Sequence, residues 1–177
     1  MLYGHPPLES CSMWTAALLL ASTASAGSLK DLDKRNGFRD LVLGTPCAQV
    51  PGFVTNGVPG RKLVSYSRSS DVLQVGEAQL QSIAYTCYLD QLSQVRIALI
   101  GEDNQQAMLD ALVEAYGPAS TEDNDGKVRT WSSKKVLLES FTAPSSDALI
   151  VTMSSQALLQ QRLQDVIDAK AAAVEDL

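Results

Sequence analysis

The sequence predicts an α+β fold in which an antiparallel β-meander sheet carries one central helix on a face and ends in a C-terminal helix. Three observations carry this expectation. Between residues 79 and 99 apolar residues alternate at period two on either side of one turn. Met108, Leu109, Leu112, Val113 and Tyr116 then recur at helical spacing before Gly117-Pro118. From residue 128 to residue 153, three short β-rich runs are separated by turn residues. Strands that follow one another directly pair as antiparallel neighbours, so the helices fall on a face of the meander.

The elements follow in order. Residues 28–36 are a polar lead, and residues 38–43 (FRDLVL) read as a strand stopped by Gly44. Thr45 and Pro46 supply an N-cap and a first-turn proline for a short helix through Val50. Residues 51–60, dense in Gly and Pro, read as loop. Strands are expected over residues 62–68 and 72–75, with Gly76 as a break. In the long hairpin Ile83, Tyr85, Cys87 and Leu89 share one face, Asp90-Gln91 forms the turn, and Val95, Ile97 and Leu99 resume the alternation. Asp103 or Asn104 caps the central helix. An acidic loop at 121–126 leads to strands at 128–132, 136–142 and 148–153, with turns at Ser133-Lys134 and after Pro144. Residues 156–177 form a last helix with Leu159, Leu163, Val166, Ile167 and Val174 on one stripe, interrupted at Lys170. That stripe either docks on the sheet or meets a partner, a second copy included. No repeat of about 20 to 50 residues is evident.

Residues 1–26 contain no Lys or Arg and one acid, Glu9. Their apolar run at 14–21 (WTAALLLA) ends in Ala24-Ser25-Ala26, the pattern of a secretory signal peptide. The expected organisation is a signal peptide at 1–26, a single α+β domain at 27–154 and the C-terminal helix at 155–177. Translation from Met13 instead of Met1 keeps the same cleavage site. Cys11 precedes the apolar run and no Cys directly follows it, which argues against a lipoprotein. The run is shorter than the roughly 20 residues a membrane span needs. The expected product is soluble and periplasmic or secreted.

Of 177 residues, 14 are Lys or Arg and 20 are Asp or Glu, a formal charge of −6. That balance argues against nucleic acid and anionic membrane surfaces, which require a basic patch. The only histidine, His5, would leave with the signal peptide. A chain without it builds no Ser-His-Asp or Cys-His nucleophile and no His-ligated zinc or haem. No cofactor or metal is expected.

The strings NGFRDLVLGTP, YSRSSDVLQVG and IAYTCYLDQLSQVRIALIGEDN, with the helix ending in AYGP, resemble a family of small secreted bacterial envelope proteins of uncharacterised function. The resemblance spans residues 36–154 and leaves the last helix outside. It implies an exported bacterial α+β domain and carries no activity or catalytic residue.

Several constellations invite a chemical reading. Cys47 and Cys87, the thiols that remain after cleavage, either pair or stay free, one buried and one partly exposed. Without a nearby His or a Cys-x-x-Cys spacing neither reads as catalytic. Ser132-Ser133-Lys134-Lys135 matches S-x-x-K but falls on a hairpin turn. The EDNDG run at 122–126 lacks the closing Glu of a calcium loop, and GFVTNG at 52–57 lacks the Lys of a phosphate loop. Tyr66 with Arg68, and Arg129 with Trp131, share strand faces and form candidate ligand- or partner-binding stripes. The functional expectation is a noncatalytic extracytoplasmic binding or interaction module for an envelope protein or glycan. The alternative is a carboxylate-dependent hydrolase of an envelope polymer, although spacing singles out no acid pair.

Overall fold

A computed structural model describes residues 27–58, 60–123, 125–144 and 146–175. The expected signal peptide lies outside the described residues. The chain forms α1 (Leu29–Arg35), β1 (Gly37–Phe38), β2 (Leu41–Val42), a 3-10 turn at Cys47–Gln49, β3 (Phe53–Thr55), β4 (Leu63–Arg68), β5 (Gln74–Val75) and β6 (Ala78–Gln79). It continues through β7 (Ser82–Tyr88), β8 (Gln91–Leu99), α2 (Glu102–Tyr116), β9 (Thr121–Asp123), β10 (Val128–Ser132), β11 (Val136–Thr142), β12 (Leu149–Ser155) and α3 (Gln156–Glu175). The fold is α+β, as the periodicities predict.

The main sheet has eight strands in the order β3-β4-β7-β8-β12-β11-β10-β9, all antiparallel. It is two four-strand meanders joined at their last members, β8 and β12, where Val95 faces Met153 and Ile97 faces Val151. The helix α2 carries the chain from the centre to the far edge, and β12 returns to close the seam. Alternation then sorts the residues. Ile83, Tyr85, Val95, Ile97, Leu138, Val151, Met153 and Trp131 lie buried on the face that α2 covers.

Local chemistry sets the ends of the elements. The polar lead is a helix: the Asp31 carboxylate accepts the Ser28 N–H and hydroxyl, a capping-box arrangement, and Asn36 ends α1 in the left-handed region at φ 43°. The strand expected at 38–43 is instead a tight hairpin that folds back at Arg39, whose φ is 56°. Gly37 permits this, because a Cβ there would collide with the Leu41 carbonyl. Of residues 72–75 only Gln74 and Val75 pair, with β6 across the Gly76 turn. The long hairpin turns at Leu89-Asp90, one residue earlier than expected. Both have positive φ, which defines a type I′ turn, and Leu89 is consequently exposed and off the core face. Two segments read as loop contain strands: Phe53–Thr55 edges the sheet at one end and Thr121–Asp123 at the other.

The two longer helices use opposite faces. Met108, Leu112 and Tyr116 of α2 are buried against the core, and Gly101 and Gly117 bound the helix at positive φ in place of an Asp103 or Asn104 cap. The Asn104 amide instead donates to the Ile100 carbonyl and accepts from Gln79 N–H, tying α2 to β6. Helix α3 follows β12 without a loop and turns to the other face, where Leu158 packs near Thr86, Gln94 and Ser154. Farther along, Asp165 accepts from the Tyr88 hydroxyl and pairs with Lys62 at 2.9 Å. Its predicted apolar stripe is not docked on the sheet: Leu163 is 62% and Ile167 51% exposed. Leu158→Ala should therefore cost about 2 to 4 kcal/mol in urea unfolding, whereas Leu163→Ala should stay within about 0.5 kcal/mol of the parent.

Candidate functional site

Beneath α2 the core is not filled. A cavity of ≈ 410 Å³ lies between this helix and the sheet. Its floor is Val95 and Ile97 of β8, Val151 and Met153 of β12 and Leu138 of β11, adjacent in register and all buried. Its roof is the face of α2 that carries Met108, Leu112 and Tyr116 together with Ala111 and Ala115. The alanines leave the space, because at i and i+4 they put a single methyl each where a Leu would reach the sheet.

The mouth is polar and basic. It is framed by Arg35 at the end of α1, by Phe38 and Arg39 of the first hairpin, and by Gln74 and Val75 of β5. The Arg39 guanidinium lies 4.7 Å from the Phe38 ring centroid, and its Nη2 donates to the Val72 and Gln74 carbonyls at 2.7 Å each. The Arg35 guanidinium stands 5.7 Å from the Tyr116 centroid. Arg39 and Gln74 also border an open depression that holds Asp40, Arg68 and Asp71.

The residues predicted as binding stripes are arranged differently. Trp131 is fully buried, and its indole donates to the Gly117 carbonyl at 2.8 Å, so it fixes the end of α2 and presents nothing to solvent. Alternation put Trp131 and Arg129 on one face correctly, but that face is the covered one. Arg129 pairs with Glu122 of β9, its Nε 3.3 Å from the carboxylate yet off the hydrogen-bond line. Tyr66 stacks on Phe53 at 5.2 Å within the core margin. Arg68 is paired to Asp40 at 2.9 Å with its Nε buried and without an acceptor. Neither pair lines the cavity, and Arg39, which does, was read only as part of a strand. A basic residue in a left-handed turn leaves no periodic trace.

Several ionisable groups are shifted by specific partners. Arg68 beside it keeps the Asp40 carboxyl below the usual range, and the Ser133 hydroxyl with the Lys135 and Lys134 N–H groups does the same for Asp33. The S-x-x-K segment is therefore a hairpin turn clasped by α1. Asp31 is lowered by Ser28, and Asp165 by Tyr88 and Lys62. Burial pushes the Tyr85 phenol well up, aided by its 2.7 Å bond to Asp71. Among the described residues no group of His, Cys, Asp and Glu is placed to hold a metal ion.

Cys47 and Cys87 are joined by a disulfide, with Cα atoms 6.4 Å apart, which binds the 3-10 turn to β7 at the sheet's core face. No family model matches the chain, and neither a curated protein nor a solved structure is significantly similar to it.

Two predictions follow from these bonds. Thiol titration of the unfolded, unreduced protein should find Cys47 and Cys87 unreactive, with two further thiols appearing after reduction. Replacing Cys47 and Cys87 with Ala should lower stability by about 3 to 4 kcal/mol on the chain-entropy estimate for this loop. For acid, Asp31, Asp33, Asp40 and Asp165 stay ionised in the fold where an unfolded carboxyl, at 3.8, takes up a proton. Their stabilisation is complete above about pH 4 and is lost as the pH falls through the lowered folded values. The urea midpoint should be flat from about pH 6 to 5 and fall below about pH 4, less steeply in Asp33→Ala.

Proposed function

We propose that this protein is a noncatalytic extracytoplasmic binding module of the bacterial envelope that holds an apolar ligand in the cavity beneath α2. The cavity carries the reading. Its ≈ 410 Å³ falls within the roughly 300 to 1,000 Å³ of small-molecule sites, and it pairs an apolar interior with a few polar groups at its mouth. A floor of interlocked antiparallel strands makes the space preformed, so a ligand would not have to open the core to enter.

Covalent chemistry and the N-terminal pattern support the compartment in this reading. A disulfide between Cys47 and Cys87 persists in an oxidising environment. The apolar run at 14–21 with Ala24-Ser25-Ala26 fits an export signal.

The carboxylate hydrolase is the weaker reading. A general acid needs a carboxyl held above its ordinary value, which removes Asp31, Asp33, Asp40 and Asp165 as candidates because donors pull each of them down. A protein partner or a second copy would meet α3, whose Leu163, Val166 and Ile167 are exposed.

The test uses N-phenyl-1-naphthylamine, a neutral apolar dye. The parent should bind one equivalent with a blue-shifted emission. Ala111→Leu, which fills the space, should weaken that binding at least tenfold while unfolding at equal or higher urea. Equal dye affinity in a folded Ala111→Leu variant would overturn the cavity as the binding site.

A further inference from the structure

The mouth of the cavity says more about the ligand than its interior does. In a chain of net charge −6, the residues that line this space include Arg35 and Arg39 and no Asp or Glu. Both arginines are exposed at the mouth, while Val95, Met108 and Leu138 behind them are buried. One end of the site is therefore cationic and wet, and the other is apolar and dry.

Arg39 is set for an anion. Its Nη2 is spent on the Val72 and Gln74 carbonyls, and the Phe38 ring lies under the guanidinium plane. A guanidinium has five N–H donors, so Nε and Nη1 remain open among the described residues with the group already held in place. In the adjoining depression Asp40 is hydrogen-bonded to Arg68, with Arg39 acting on it only through its charge, and Asp71 accepts from the Tyr85 hydroxyl. On the other side of the mouth Arg35 is held over Tyr116, itself part of the apolar wall. Asp31 and Glu114 lie in the groove beyond Arg35, outside the cavity lining; Asp31 is hydrogen-bonded to Ser28 and feels Arg35 only as a weaker charge.

We infer that the ligand is a single-chain amphiphile, its hydrocarbon tail under α2 and its anionic head, a carboxylate or a phosphate, between Arg35 and Arg39. This rests on the cavity being the binding site. The volume lies near the lower end of ordinary ligand sites, which suits a single hydrocarbon chain.

Isothermal titration of the full chain, after extraction of any carried-over lipid, tests this with four probes: octanoate, dodecanoate, dodecyl phosphate and dodecanol. Lengthening octanoate to dodecanoate adds four methylenes and should tighten binding by at least tenfold, since each one buried is worth about fourfold and burying two suffices. Dodecanoate and dodecyl phosphate should bind about 5 to 10 times more tightly than dodecanol at low salt, and raising the salt should narrow that gap. If only one of the two anions shows the advantage, it identifies the head. In Arg35→Gln/Arg39→Gln the advantage should disappear while dodecanol binding stays within about twofold, and Arg35→Lys should keep most of it. Dodecanol binding as tightly as both anions in the parent, or an unaltered advantage in the double variant, overturns the amphiphile assignment. In that outcome neutral-dye binding abolished by Ala111→Leu still stands for the cavity, whereas failure of the dye and of every chain probe removes both.

Discussion

The constraint from which the rest of the molecule follows is the mismatch between one wide sheet and the little helix available to cover it. Eight antiparallel strands at about 4.8 Å spacing present a face roughly 34 Å across. The fifteen residues of α2 make a rod about 22 Å long and about 10 Å thick. One such helix cannot shield that face from water, so irregular segments do the remainder. The short α1, the hairpins β1–β2 and β5–β6 and the 3-10 turn at Cys47–Gln49 all gather on the side of α2. Where these pieces meet under small side chains, their surfaces do not interlock, and the space left is the cavity.

A cover made of short pieces has too few backbone ladders to hold itself, and each piece is pinned by a side chain bonded to a neighbour's main chain. Asp33 of α1 grips the turn between β10 and β11. Trp131 grips the end of α2, Asn104 grips β6, and Arg39 grips the start of β5. The disulfide adds a covalent pin between the 3-10 turn and β7. The bonds at Asp33 also hold its carboxyl below the ordinary range. The pins explain why the cavity mouth is ordered: the arginine that would meet a ligand is the same one that closes the cover.

The two faces of the sheet have different fates for the same reason. With the covering segments all drawn to one face, α3 alone reaches the other, attached by Leu158 in its first turn and by Asp165 at Tyr88 and Lys62. Among the described residues Leu163, Ile167 and Val174 stay mostly exposed.

Much of the architecture was legible in the residues. Alternation from Ile83 to Leu99 and the 3.6-residue spacing of Met108, Leu112 and Tyr116 are local consequences of side-chain direction, so they name a strand pair and a helix without reference to anything distant. The elements missed were those with no period to read: α1 behind its Ser28 and Asp31 cap, and the three-residue edges β3 and β9, which exist because a neighbour offers an unpaired backbone. By itself the sequence determined an antiparallel α+β sheet with a central helix, and which side chains share a face. Only the tertiary structure decided which face is covered, which turned Trp131 from a surface anchor into a core residue. It alone brought Cys47 to Cys87 and set Ala111 and Ala115 over Val95 and Val151 with Arg39 at the opening. A cavity is a failure of distant surfaces to fit, and no short stretch of residues records that.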